Sequence, residues 1–143
     1  MLLEELKLEK EKMENKNQYV IDKIVSYFKE EIKSKKFEDY LKEKILDGIK
    51  DNEKSVWTEV EFWDWHDGCS NTYFRIGNCE WKSEDNRYYN DIRLSTIREE
   101  VVHQLLIIAT TYLDEQGLSY WVEDERGRLD YPHYKIHIDI SKI

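Results

Sequence analysis

From residue 56 the chain alternates at the two-residue period of a strand. Val56, Thr58, Val60 and Phe62 fall on one side; Trp57, Glu59, Glu61, Trp63 and Trp65 fall on the other. This spacing predicts a first strand over 56–65. His66-Asp67-Gly68-Cys69-Ser70-Asn71 reads as a turn, and 72–82 as the hairpin partner. Continuous alternation through that partner places Phe74 and Ile76 on one face and Tyr73, Arg75, Cys79 and Trp81 on the other. After a turn at 83–86 comes a weaker strand over 87–94. Residues 118–124, a turn at 125–128 and 134–140 complete the strand signals. In the last of these Tyr134, Ile136, Ile138 and Ile140 point inward, with Lys135, His137 and Asp139 outward.

The rest of the chain carries the helical period. Residues 1–15 are dense in Glu and Lys with sparse apolar positions, a solvated helix rather than a coiled coil. Val20, Ile21, Ile24, Val25, Phe28 and Ile32 recur at three- and four-residue steps and predict an amphipathic helix over 18–35. Phe37, Tyr40, Leu41, Ile45 and Ile49 repeat the pattern until Gly48 and Asp51-Asn52. The two segments read as an antiparallel pair or as one long bent helix. Residues 97–115 form the central core helix, with Thr96 and Glu99 spaced as a capping box and Gly117 as its stop.

The order α-α-β-β-(β)-α-β-β places the chain in the α+β class: one antiparallel sheet of four to five strands, with helix 97–115 on one face. An aromatic second face left in water would exceed what a monomer usually exposes. The N-terminal helices are therefore expected to cover that face at least in part. All 143 residues fit one domain, with a helical region over 1–52 and a sheet region over 56–143.

Composition narrows the function more than the fold. The net charge is −9, and almost all of it lies beyond residue 55. That field repels phosphate backbones and anionic lipid and favours basic partners, so direct nucleic-acid and membrane binding are not expected. The sequence shows neither a membrane span nor a signal peptide, and two Cys are too few for a disulfide scaffold. These features predict a cytoplasmic protein. Cys69 and Cys79 read as free thiols there, with room for one local disulfide across a hairpin.

Candidate chemistry is thin. His66, Cys69 and Cys79 offer three zinc ligands without a clear fourth, so no metal and no cofactor are expected. Glu99, Glu100 and His103 share a helix face but occur once, where a di-iron bundle needs two such sets. Lys135 between His133 and His137 opposes cation binding. Asp64 (or Asp67) with Glu80 and Lys82 follows the Asp…Glu-x-Lys order of Mg²⁺-dependent nucleases, a short motif common by chance. No phosphate loop, nucleophile elbow or dinucleotide fingerprint is present. The favoured expectation is therefore a non-enzymatic module that binds a basic protein surface. One version mimics nucleic-acid charge and blocks a nucleic-acid-processing enzyme; the alternative is the nuclease built on Asp64, Glu80 and Lys82. The residues expected at the interface are Glu59, Glu61, Trp63, Trp65, Trp81, Glu84, Asp85, Glu123, Asp124 and Glu125.

Overall fold

In the computed structural model, which describes residues 1–64, 72–83, 87–127 and 130–143, the chain is α+β as expected. Helices α1 (Leu2–Glu31) and α2 (Lys35–Lys50) precede strands β1 (Ser55–Asp64), β2 (Thr72–Ile76) and β3 (Cys79–Lys82). A small hairpin, β4 (Tyr88–Tyr89) and β5 (Ile92–Arg93), leads into α3 (Arg98–Glu115), followed by β6 (Tyr120–Asp124) and β7 (His133–Asp139). The main sheet is antiparallel in the order β3-β2-β1-β7-β6.

Its two faces follow from side-chain alternation. Val60, Phe62, Phe74, Ile76, Ile136 and Ile138 are fully buried on one face. Against them lies the stripe of α3, with Val101, Val102 and Leu105 also fully buried. The N-terminal helices pack on this same face, which corrects the expectation that they cover the other. Phe37 of α2 meets Tyr112 of α3 edge-on at 5.3 Å, and the Tyr40 hydroxyl lies 3.1 Å from Thr58 Oγ1. Val20, Ile24 and Phe28 fill the core beside α3. Desolvation cost explains the choice. The Val60 face is apolar, whereas the other holds Glu59, Glu61, Arg75 and Lys135, whose charges a helix layer would strip of water.

Three local expectations are corrected. Residues 72–82 are two strands, not one. Gly77, with φ +56°, opens the two-residue loop Gly77-Asn78, and Ile76 pairs with Cys79 and Phe74 with Trp81. That reversal turns Cys79 and Trp81 to the core face. Trp81 packs edge-on against Tyr89 at 5.3 Å. The segment 87–94 likewise folds back on itself, because Asn90 and Asp91 both adopt positive φ, and it stays outside the main sheet. The capping box does not form. Thr96 Oγ1 donates to the Arg93 carbonyl, and Glu99 receives Arg126 instead.

The first half of α1 projects away from the core, with residues 1–16 exposed. Pairs such as Lys12–Glu9 at 3.3 Å and Gln18–Asp22 at 2.8 Å run along it. Such pairs add only a few tenths of a kcal/mol each, so the packed half from Val20 onward anchors the helix. A turn at 32–34 separates it from α2, where Ser34 accepts the Phe37 amide as N-cap. Gly117, with φ +72°, ends α3 as expected, with the Leu118 amide reaching back to the Leu113 carbonyl.

Candidate functional site: the open face of the sheet

Among the described residues no helix covers the second sheet face, and cross-strand register arranges it in rows. The first row is aromatic: Trp121 pairs with His137, which pairs with Trp57. The Trp121 and His137 rings stack at 4.9 Å with 5° between their planes. Both Trp side chains remain accessible, at 44% for Trp57 and 47% for Trp121. Lys135 Nζ stands 5.0 Å from the Trp57 ring centroid, within cation–π reach.

The next rows alternate in sign. Glu123 pairs with Lys135 and Lys135 with Glu59. Beyond them His133, Glu61, Arg75 and Glu80 follow one another from strand to strand. Arg75 Nη2 approaches Glu61 Oε1 at 2.6 Å and Glu59 Oε2 at 3.7 Å. His133 Nε2 lies against Glu59 Oε2 and 3.5 Å from Glu61 Oε2. Burial alone would lower the Arg75 pKa, but the Glu61 carboxylate outweighs it and holds the guanidinium more firmly charged. Burial, reinforced by Glu61, pushes the Tyr73 phenol up. At the sheet margin Glu123 and Glu125 perturb each other, which, with His137 beside Glu123, holds Glu123 below the usual carboxylate range and pushes Glu125 above it.

Glu59, Glu61 and His133 bring three ligand atoms within 4.8 Å of one another, the spacing a cation would need. Arg75 already occupies Glu61, so a cation there would have to displace a guanidinium. Beside this cluster a cleft of 360 Å³ opens between Trp63, Tyr131, Glu61 and Glu125. Its walls are aromatic, and with Glu61 held by Arg75 the carboxylate it offers is Glu125. That combination suits the hydrocarbon stem and charged head of a Lys or Arg side chain.

Of the residues expected at the interface, the structure places Glu59, Glu61, Trp63 and Glu123 on the open face, with Glu125 at its margin, whereas Asp124 pairs with Tyr134 on the core side of the edge strand. Trp81 belongs to the core side. Trp65, Glu84 and Asp85 lie outside the described residues. Trp57, Trp121 and Tyr131 were missed. For the two Trp the alternation was legible, but their meeting through His137 depends on register between strands about 80 residues apart.

The nuclease set built on Asp64 is not assembled, and Asp67 lies outside the described residues. Asp64 is buried on the core side, accepting from Thr72 Oγ1 at 2.8 Å and lying 3.4 Å from Arg87 Nε. Glu80 and Lys82 face the opposite side, 3.1 Å from each other. The zinc set fares no better where it is described. Cys79 is buried against α1, its Sγ 3.8 Å from the Glu31 carbonyl, and His66 and Cys69 lie outside the described residues. Burial pushes the Cys79 thiol up to about 11. In a Cys69→Ser background it should therefore react with iodoacetamide at pH 8 far more slowly than the same chain in denaturant, because the thiolate is the reactive form. Equal rates would mean that Cys79 is not enclosed.

No protein-family model matches the chain, and no curated protein or solved structure matches it. No helix among the described residues is long and apolar enough to cross a membrane.

Proposed function

We propose that this chain is a non-enzymatic, cytoplasmic binding module whose open sheet face receives a basic protein surface. The observation that carries the reading is the placement of all three helices on one face, leaving Trp57 and Trp121 accessible in one row on the other. Trp, Tyr and Arg are the residue types that most often dominate binding energy, and all three stand on or beside this face. The cleft beside Trp63 gives a partner's Lys or Arg a place to enter, and the acidic second half steers such a partner.

The row pattern favours an ordinary protein surface over a nucleic-acid mimic. A phosphate backbone presents uncompensated charges at regular spacing. Here Glu59, Glu61 and Glu123 each have a cation or imidazole within 4 Å.

Affinity capture from the source cell's lysate, at low and high salt, tests the reading. A stoichiometric, salt-sensitive basic partner should be retained. Trp57→Ala and Trp121→Ala should each weaken its binding by about 2 kcal/mol, the scale of an interface hot spot, with unfolding unchanged. A Glu4→Lys, Glu5→Lys, Glu9→Lys variant serves as control on the projecting helix and should bind as the parent does. A partner retained equally by both Trp variants would show that this face is not the interface.

A further inference from the structure

The two edges of the main sheet are treated differently. On β3 the ladder with β2 leaves the main-chain groups of Glu80 and, at the strand end, Lys82 pointing outward, since Ser83 N–H bonds to the Thr72 carbonyl and bonding alternates from there. The Glu80 carbonyl is closed off by α1, whose Tyr27 hydroxyl donates to it at 2.8 Å. On β6 the phase is fixed at both ends: Asp139 N–H bonds to the Ser119 carbonyl and Glu125 N–H to the His133 carbonyl. Trp121 and Glu123 therefore bond inward to β7. The main-chain groups of Tyr120, Val122 and Asp124 point to the outer edge, which no described strand pairs. Residues 121–124 are exposed, with Val122 at 40%.

A strand with a row of outward N–H and C=O groups is a template for another strand, and proteins normally cover or twist away such an edge. We infer that β6 accepts an extended segment of the basic partner as a sixth strand, pairing through Tyr120, Val122 and Asp124. This rests on the proposed binding of a basic protein surface and names how that surface engages. Charge selects the occupant. β6 carries Glu123 and Asp124 with Glu125 next to it, and no basic residue. An incoming strand with Lys or Arg beside Glu123 and an apolar residue beside Val122 satisfies both side-chain rows. A second copy of this chain would bring its own Glu123-Asp124-Glu125 to the same short edge and add like charge.

The test uses the full chain and a blocked peptide, Thr-Lys-Val-Lys-Val-Lys-Thr, titrated to millimolar concentration. Amide exchange of Val122 and Asp124 should slow at least tenfold at saturation. The same peptide N-methylated at every residue keeps its charge but has no main-chain N–H left to pair, and should bind at least tenfold more weakly. Val122→Pro removes one outward N–H without breaking a β6–β7 bond, and should weaken binding similarly. Reversing Glu123, Asp124 and Glu125 to Lys should abolish it. If charge reversal weakens binding while N-methylation and Val122→Pro do not, strand pairing is wrong and the acidic-face reading survives. If neither charge nor pairing matters, both fall. A dimer in sedimentation equilibrium that Val122→Pro converts to monomer would overturn the assignment in favour of self-pairing.

Discussion

Leu105→Ala is expected to destabilise the protein by about 2–5 kcal/mol, the range for truncating a large aliphatic side chain in a core that relaxes only in part. Leu105 is fully buried in the stripe of α3 that faces the sheet. Its neighbour Leu106 sits about 100° further round the helix and is only half-buried. Leu106→Ala should cost clearly less, since most of the removed surface was never withdrawn from water. Urea unfolding of both variants measures the contrast, with a lower midpoint and unchanged slope for Leu105→Ala. A larger loss at Leu106 than at Leu105 would mean that α3 is rotated from the orientation described.

Gly77→Ala should cost about 2–4 kcal/mol, from two sources that can be separated. The first is conformational: φ is +56°, where an L side chain is strained by roughly 1–2 kcal/mol. The second is steric. A Cβ at Gly77 would stand 2.7 Å from Tyr40 Cε2, 2.9 Å from Thr58 Oγ1 and 3.2 Å from Phe37 Cε2. Tyr40 is tied to Thr58 through its hydroxyl and Phe37 is buried, so neither ring yields cheaply. Gly117 supplies the comparison. Its φ is +72°, but an added Cβ meets nothing within 4 Å, so Gly117→Ala should show the conformational cost alone. Equal losses at the two glycines would mean that α2 does not close on the β2–β3 turn. Gly77 thus couples local chain reversal to the seating of the N-terminal helices on the core face.

Much of the architecture was readable because it is local. Helix stripes such as Val20-Ile24-Phe28 and the stop at Gly117 depend on spacings of a few residues. So does the inward set Ile136 and Ile138, and each appears in the structure as expected. Strand parity was readable too, but only as far as a strand runs unbroken. The turn at Gly77-Asn78 reset it, and Cys79 and Trp81 changed sides with that one reversal.

The candidate site was half legible. Glu59, Glu61, Trp63 and the acidic run 123–125 stood out by composition and alternation. Their pairing with Arg75, His133 and Lys135 did not, because it requires knowing which residues face one another across strands. The sequence by itself determined the α+β class, the helix stripes, the alternation of each strand and the acidic second half. Tertiary structure alone decided which sheet face the helices share, which charges pair and which edge stays open. Alternation states that two residues lie on the same side of one strand. Only long-range pairing, weighed against the cost of burying charge, states what lies on that side with them.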